Sequence, residues 1–392
     1  MRLAALIFAL AFAPLSLQAQ WTIQTPTTAD LRGIDNVGKG IAWASGTNGT
    51  VLRTEDAGYL WQRCTIPPNA EHLDFRGIQA FDANTAIVMS SGPGDQSRLY
   101  KTTDGCQTWT LLFTNPDKEG FWDAMRFEGN RSFRHEFPDT VMRHGILIGD
   151  PVDGNFVIYL TNDSGEHWQP WSPYTHTYPK LKRPPVTAVP GESLFAASNS
   201  AGIAIGTEIE FVFVTGGIRG SRIYWSEPFP INHQKTSQEF EHLDLPIASS
   251  ESSGAFSVAP LWTADRKPLP DLMIVGGDYK KPEDAGTSLF IKSNSLLEPG
   301  FFQKPWFKPI TPPHGYRSAV AYDSKTKTWI TVGPNGTDIS TDDGRNWRPL
   351  HPTNNEAPDA DQHWNALSLP YAVGPHGRVG ILNPSALQPT KP

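Results

Sequence analysis

Three arginines occupy the same position in a short segment that recurs along the chain. Arg32 lies in LRGI, Arg76 in FRGI and Arg317 in YRSA, each at the second residue of the segment. A guanidinium group binds carboxylate or phosphate through two parallel hydrogen bonds, so clustered arginines suit acidic ligands. The alternative is that each arginine pairs with a nearby carboxylate, such as Asp30 or Asp74, and only holds the fold together. The sequence leaves both interpretations open.

Four further copies of the segment carry other side chains at this position. The copies are FWDA, LFAA, AFSV and WNAL, and the corresponding residues are Trp122, Phe195, Phe256 and Asn365. Aromatic residues and arginine are enriched at the centres of protein interfaces. The seven positions therefore predict a surface with a polar and cationic part beside an aromatic part. We expect this surface to bind a partner protein, a peptide or an acidic segment, with an acidic glycan as a further option.

Glycine-rich segments contain other residues that could do chemistry. Asp150, Asp153, Asp278 and Glu283 could supply the paired carboxylates of a glycoside hydrolase, or oxygen ligands for Ca²⁺. Asp beside Gly is also the ordinary composition of a tight turn, and the spacing does not match an EF-hand. The histidines show no HExxH spacing, and GPGDQS from Gly92 precedes no helix that could receive a dinucleotide. We therefore predict no catalytic residue, no metal site and no cofactor.

Four segments share a Ser or Thr, any residue, an Asp, and a Trp five residues after the Asp. They are TEDAGYLW, TTDGCQTW, TNDSGEHW and STDDGRNW, with the pairs Asp56 and Trp61, Asp104 and Trp109, Asp163 and Trp168, and Asp342 and Trp347. The Asp can accept backbone N–H bonds within a turn, a Gly permits positive φ, and the Trp begins the next strand as a buried anchor. The pattern predicts a protein built from repeated β units.

The repeated strand starts and glycine-rich turns alternate seven times, which predicts an all-β, seven-bladed β-propeller. The turns are SGTNG, SGPGDQ, GDPVDG, TGGIRG, GGDYKKPEDAG, GPNG and GPHG. The first strand of a propeller blade is innermost, so the seven positions described above should surround one mouth of the central channel. The last copy stops after its third strand, RVGIL from Arg378. WTIQ from Trp21 matches the fourth strands elsewhere, and we expect it to complete the last blade and remove an open sheet edge.

The Asp and Trp segments resemble the Asp-box, also called the bacterial neuraminidase repeat. From Trp21 to about Leu382 the chain resembles the photosystem II stability/assembly factor family, particularly a bacterial branch, in stretches such as SGPGDQSRLYKTTDG and GYRSAVAY. This resemblance implies an exported, non-catalytic propeller that binds a partner protein. The Asp-box also occurs in sialidases, which use an arginine triad and a Tyr paired with Glu. Tyr316 lies beside Arg317, but no Glu partner can be placed for it. A sialidase-like or other glycoside hydrolase is therefore the alternative and not the main prediction.

The two ends of the chain carry signals of a different kind. Residues 1–19 resemble a secretory signal, with Arg2, the apolar run LAALIFALAFA and a small residue at Ala19. No later apolar run is long enough to span a bilayer. We expect residues 20–382 to form one propeller domain, residues 383–392 a flexible tail, and the protein to be an exported, periplasmic or extracellular monomer. The net charge of −7 argues against general nucleic-acid binding.

Two cysteines and two long connections complete the sequence analysis. Cys64 and Cys106 would form a disulfide readily in an oxidising compartment, but our repeat assignment places them at different heights, which disfavours the bond. The alternative is two small buried hydrophobic residues. Cys106 also stands where the other three turns have Gly, which suggests a shifted turn. The connections at 169–192 and 229–254 are either lids or surface decoration.

Overall fold

The computed structural model describes residues 19–128, 143–171, 183–205, 211–226, 239–261, 271–292, 306–354 and 356–387. Within these ranges thirty β-strands form seven antiparallel sheets, and three short 3₁₀ helices lie between strands or follow the last one. The chain is therefore an all-β, seven-bladed β-propeller, as the repeats predict.

The first three blades follow one another along the chain. Blade one contains β2–β5, blade two β6–β9 and blade three β10–β13, and β1 precedes them. The bounds are β1 Trp21–Gln24, β2 Leu31–Gly38, β3 Ile41–Gly46, β4 Val51–Thr54, β5 Gln62–Arg63, β6 Phe75–Ala80, β7 Ala86–Ser90, β8 Arg98–Thr102, β9 Thr110–Thr114, β10 Trp122–Phe127, β11 Gly145–Val152, β12 Asn155–Thr161 and β13 Gln169–Pro170.

Blades four and five share a seam. Blade four contains β15, β16, β18 and β19, and blade five contains β20–β23, whose sheet also receives β17 and β14. The bounds are β14 Glu192–Ser193, β15 Gly202–Ala204, β16 Phe211–Val214, β17 Gly216–Gly217, β18 Ser221–Ser226, β19 Phe240–Leu245, β20 Ser253–Leu261, β21 Asp271–Asp278, β22 Thr287–Ile291 and β23 Trp306–Phe307.

Blade six contains β24–β27, and the sheet of blade seven has the order β1-β30-β29-β28. The bounds are β24 Ala319–Asp323, β25 Thr328–Gly333, β26 Gly336–Ser340, β27 Arg348–Leu350, β28 Ala366–Ser368, β29 Tyr371–Val373 and β30 Val379–Leu382. In blade seven Trp21 pairs with Leu382, and its ring lies 4.8 Å from that of Trp364. The strand nearest the N-terminus of the described chain is thus the outer strand of the last blade.

The hydrophobic core lies between the blades. Middle strands such as β7 and β16 are buried along their whole length, whereas the short outer strands β5 and β13 are exposed. Strands buried on both faces are apolar throughout, and short polar outer strands protect sheet edges. Seven clusters of buried side chains each join two neighbouring blades, including one that packs Leu31 and Trp61 of blade one against Tyr371 of blade seven.

The four Asp-containing turns have the same hydrogen bonds. In the first, the Thr54 hydroxyl donates to Asp56 Oδ1 at 2.8 Å, and the same oxygen accepts the backbone N–H of Leu60 at 3.0 Å. Asp104, Asp163 and Asp342 repeat this arrangement. Hydrogen bonds that favour the charged form, chiefly from Thr108, lower the pKa of Asp104 to about 2. The Asp residues therefore stabilise these turns.

The cysteines form a disulfide, which decides between the two alternatives that the sequence leaves open. Their Cα atoms lie 5.3 Å apart, and the bond joins the end of blade one to the second Asp-containing turn in blade two. The turn is not shifted, because Cys106, at φ 64°, takes the left-handed position that Gly58, Gly165 and Gly344 occupy elsewhere. The backbone N–H of Thr65 also donates to the Cys106 carbonyl at 3.3 Å, which holds both segments together.

The predicted tail begins with ordered chain. Residues Pro384–Leu387 form a 3₁₀ helix, and Leu387 packs in the cluster between blades six and seven. Residues 388–392 lie outside the described ranges, and so do residues 1–18 of the predicted signal. Parts of the two long connections, residues 172–182 and 229–238, also lie outside them.

Candidate functional site

The candidate site lies on the face where the innermost strands begin, which we call the rim. Four of these strands, β2, β6, β10 and β20, start with a β-bulge. In β2, for example, Leu31 pairs with Gly46 and Gly33 with Ser45, so the pairing skips the residue between them. A bulge redirects the skipped side chain. The skipped residues are Arg32, Arg76, Asp123 and Phe256.

The predicted alignment is therefore off by one residue in blades three and six. Trp122 pairs with Gly149 as Leu31 pairs with Gly46, so it belongs to the buried position before the bulge. The backbone N–H of Arg317 donates to Gly276 just as that of Leu31 donates to Gly374. A shift of one residue moves every side chain to the opposite face of a strand. Asp123 and Ser318 therefore take the rim positions that the sequence alignment gave to Trp122 and Arg317.

Trp122 lies in the core between blades two and three. Its side chain is fully buried and stacks on Phe113, with ring centroids 5.3 Å apart. In this structure it is not accessible to a ligand.

Arg317 is also fully buried, and its guanidinium belongs to an internal charge network. Its Nε donates to Asp338 at 2.7 Å and its Nη1 to Asn335 at 2.6 Å. His314 shares Asp338, and the hydrogen bond to that carboxylate raises the pKa of His314. Arg317 therefore pairs with a carboxylate and stabilises the fold, which is the alternative to ligand binding that the sequence leaves open.

The predicted first strand of blade four is not a strand. LFAA lies in a segment that crosses the rim before the true inner strand, β15. Phe195 thus reaches the rim from this crossing segment. At the end of the segment, residues 198–201 form a tight turn around the 3₁₀ helix Asn199–Ala201, which we call the plug turn.

The plug turn joins four other blades across the channel. Asn199 accepts the backbone N–H of Met125 in blade three at 2.9 Å and donates to the Ile78 carbonyl in blade two at 3.2 Å. The Ser198 hydroxyl donates to the Ser318 carbonyl in blade six, and Ser200 to the Ser257 hydroxyl in blade five. The plug turn therefore occupies the channel below the rim, and the rim forms a cup closed at its base.

A buried carboxylate anchors the crossing segment. Glu192 forms an ion pair with Arg222, accepts from the Thr215 hydroxyl at 2.6 Å and accepts from the Tyr224 hydroxyl at 3.2 Å. A buried ion pair with several hydrogen bonds is costly to break, because one partner would be left charged and unpaired. This network fixes where Phe195 and the plug turn lie.

Arg32 differs from Arg76 and Arg317, because its Nε has no hydrogen-bond acceptor among the described residues. Its Nε is buried, and no described group accepts the hydrogen. Asp30, the nearest sequence candidate, instead accepts the backbone N–H of His376 at 2.9 Å. A buried donor without an acceptor costs roughly 1–3 kcal/mol. Arg32 as a whole is only half-buried, so other parts of its side chain can contact a ligand.

Arg76 has a carboxylate partner but keeps part of its surface exposed. Its Nε lies 2.8 Å from Asp74, and about a quarter of its side chain (28%) is accessible. The guanidinium also lies 5.8 Å from the ring of Phe121. The two predicted roles thus divide between blades: Arg76 pairs with its neighbouring Asp, and Arg32 does not.

Aromatic rings form the other side of the cup. Phe195 stacks on Phe256 at 4.2 Å, and the edge of Tyr316 approaches Phe256 at 4.7 Å. Tyr279, which is 45% exposed, lies 6.2 Å from both phenylalanines. Arg32 is close enough to Tyr316 to act on it electrostatically. Arg32 therefore acts on one ring of the aromatic cluster that contains Phe195 and Phe256.

Asn365 supports the same face from blade seven. Its side-chain amide donates to the Leu31 carbonyl at 2.8 Å, one residue before Arg32. It links blades seven and one rather than extending the cationic surface.

Two carboxyl groups lie behind Arg76, and the sequence alignment missed one of them. Asp123 is 2% exposed, its Oδ2 has no hydrogen-bond partner in the described chain, and Asp150 and Arg76 act on it electrostatically. Burial raises the pKa of Asp150 to about 6, and burial together with the Asp150 charge raises the pKa of Asp123 well above its usual range. FWDA is the only one of the seven strand starts that contains an acidic residue, and this difference could have indicated Asp123 from the sequence.

The other carboxylates of the glycine-rich turns behave as turn residues. The Asp278 carboxylate accepts the backbone N–H of Lys280 at 3.0 Å, and hydrogen bonding from Ser252 lowers its pKa. No group of three His, Cys, Asp or Glu side chains suited to a metal ion occurs in the described ranges. Across the same ranges, no helix has the length and apolar character needed to cross a membrane.

Seven blades around a plugged channel, with charged and aromatic groups at one mouth, define a β-propeller with a candidate ligand-binding rim. No model of a known protein family matches the chain, and no curated protein matches it in sequence. Solved structures do share the fold. YCF48 bound to a D1 peptide matches with a TM-score of 0.53 at 16% identity, covering 93% of this chain and 96% of that one.

Two further structures are similar over nearly the whole chain. YCF48 from Cyanidioschyzon merolae has a TM-score of 0.57 at 16% identity, covering 94% of this chain and 100% of that one. The GH74 xyloglucanase from Xanthomonas campestris has a TM-score of 0.52 at 16% identity, covering 93% of this chain and 53% of that one. At this identity the similarity establishes the propeller fold, which hosts both binding proteins and enzymes.

Proposed function

We propose that this protein is a non-catalytic, partner-binding propeller, similar in role to a photosystem II assembly factor, and that its rim binds an acidic segment of a protein or peptide. The observation that carries the proposal is the half-buried Arg32, whose Nε has no acceptor among the described residues. Its charge acts on Tyr316, which packs in the cluster of Phe195, Phe256 and Tyr279. Such a site offers a charge-assisted hydrogen bond to a carboxylate and an apolar surface for the next side chain.

Two further features support this proposal. Arg76 extends the cationic surface into blade two, and its exposed part can bind a second acidic group of the same ligand. YCF48, which has the same fold, forms a complex with a D1 peptide. We further propose an exported monomer, because residues 1–19 resemble a secretory signal and disulfides persist in oxidising compartments.

Site-specific photocrosslinking tests the proposed function. A benzoylphenylalanine at position 279 places the crosslinker on the exposed ring of the rim, and mass spectrometry identifies the captured segment. We expect capture of an acidic segment from envelope extracts, and loss of capture when Arg32→Gln and Arg76→Gln are added.

The matched control removes two arginines from outer strands, Arg63→Gln and Arg348→Gln, and should leave capture intact. Equal capture by the rim variant and this control would show that the rim arginines do not bind the partner. All variants are compared by thermal unfolding, so that a loss of folding is recognised.

A second candidate function is glycoside hydrolysis, favoured by one observation. Asp150 has a pKa raised to about 6 beside a second carboxyl, as a general acid requires. A sialidase-type nucleophile is disfavoured, because Tyr316 is buried and burial raises its pKa. Release of reducing sugar from xyloglucan or of sialic acid from sialyllactose, abolished by Asp150→Asn, would establish this function in place of the first.

A further inference from the structure

The two carboxyl groups behind Arg76 lie where the ligand of the proposed function would act on them. Asp123 occupies the bulge position next to that of Arg76 around the rim, and it lies against the backbone N–H of Asp150. Asp150 Oδ1 accepts the backbone N–H of Leu194 in the crossing segment at 3.0 Å. Asp123 Oδ2 is buried and has no hydrogen-bond partner among the described residues, so burial disfavours a second negative charge there.

The charged groups around this pair are few. Arg76 on β6 is the cation that acts on Asp123, and Asp74 is held in an ion pair with Arg76. Glu192, at the start of the crossing segment, is neutralised by Arg222. Two neighbouring buried carboxyls resist double ionisation and titrate as a unit. Burial and mutual repulsion raise the pKa of the pair, and Arg76 is the cation that opposes them at Asp123.

We propose that the Asp123–Asp150 pair takes up a proton when an acidic ligand binds at Arg76, so that the rim binds anions more tightly as the pH falls. The inference rests on the proposed function, because it assigns a regulation to the same rim. It makes the pair a proton-linked control of binding rather than part of the contact surface.

The direction follows from linkage. Arg76 lowers the pKa of Asp123, whereas a bound anion offsets that positive field and raises the pKa of the pair. A ligand that raises a pKa binds more tightly when the proton is present, by the same free energy in both directions. Since Asp150 titrates at about 6, the affinity should rise between pH 7.5 and about 5, at most about tenfold per pH unit for one proton.

The first experiment needs no ligand. Carboxyl ¹³C NMR of aspartate-labelled protein, assigned with Asp123→Asn and Asp150→Asn, gives the titration of the pair directly. Arg76→Gln removes the cation and should raise the apparent pKa of the pair. Arg32→Gln is the matched control, because Arg32 acts on Tyr316 and should leave the pair unchanged. An unchanged titration in Arg76→Gln would overturn the inference, whichever ligand is later found.

The second experiment measures proton uptake on binding. The probe is a capped peptide with cysteic acid on both sides of phenylalanine, whose sulfonates do not titrate in this range. Isothermal titration calorimetry at pH 6 in two buffers of different ionisation enthalpy gives the number of protons taken up. We expect a fraction of a proton per peptide for the wild type and none for Asp150→Asn.

The two proposals fail in different ways. Binding without proton uptake would overturn the proton linkage and leave the proposed function in place. If neither the sulfonate peptide nor a matching aspartate peptide binds between pH 5 and 8, the proposed function fails. The NMR titration would then still decide whether Arg76 and the pair are coupled.

Discussion

Removing the disulfide between Cys64 and Cys106 should destabilise the propeller by an amount that depends on the replacement at position 106. The bond closes a loop of 42 residues, for which the loop-entropy model gives about 4 kcal/mol at 25 °C. Cys106, however, has φ 64°, a conformation that costs a residue with a side chain roughly 1 kcal/mol. Cys64→Ser with Cys106→Ser should therefore lose about 4 kcal/mol, and Cys64→Ser with Cys106→Gly about 3 kcal/mol.

Urea unfolding followed by tryptophan fluorescence measures both differences. Reduced wild-type protein is the control, because it keeps every side chain and lacks only the bond. It should unfold close to the serine variant. Both variants unfolding within about 1 kcal/mol of the oxidised protein would refute the reasoning from loop closure. Equal stability of the two variants would refute only the strain assigned to position 106.

Three further changes test other parts of the fold. Trp21→Ala should lower the free energy of unfolding by about 3–5 kcal/mol, because the buried ring of Trp21 packs on Trp364 in blade seven. Thermal unfolding measures this loss, and a loss under about 1 kcal/mol would contradict the packing role. Asn199→Ala should lower the free energy of unfolding by about 3 kcal/mol, because it leaves the Met125 N–H and the Ile78 carbonyl unpaired below the rim. Hydrogen exchange at the Met125 amide should become faster, and unchanged exchange would argue against the plug turn. The raised pKa of His314 contributes stability that is complete below about pH 6.5 and is lost as the pH rises through the folded value. Urea midpoints should therefore fall above pH 6.5 in the wild type and show no such fall in His314→Asn.

Much of the fold could be predicted from the sequence because the blades repeat. Turn residues such as Asp56 and Gly58 act through local backbone geometry, which sequence patterns record directly. The rim was harder, because Phe121 and Tyr316 are aromatic residues that stand one position before the true strand start. FWDA and YRSA look like FRGI when aligned by their first letter, yet Trp122 and Arg317 pair one position earlier. Short strands contain too few residues to fix their own register.

Blade four shows a different limit. LFAA has the composition of an inner strand, but its residues belong to a segment held by Glu192 and Arg222, which are thirty residues apart in the chain. Only tertiary contacts decide that the strand begins at Gly202 instead. The sequence leaves the disulfide undecided for a related reason: the distance between Cys64 and Cys106 depends on how two blades pack, which repeat spacing does not determine.

The pairing of β1 with β30 imposes an order on folding. Trp21 is among the first described residues to leave the ribosome, and its sheet partner Leu382 is among the last. Blade seven therefore cannot form cotranslationally, however early the other blades assemble, and its closure is a contact of high sequence separation that forms slowly. Until β30 has been synthesised, the outer edge of β29 remains exposed. The apolar side of blade one that packs against blade seven remains exposed as well. A ring that stays open until the end of synthesis is vulnerable to aggregation, so chaperone protection would benefit this protein.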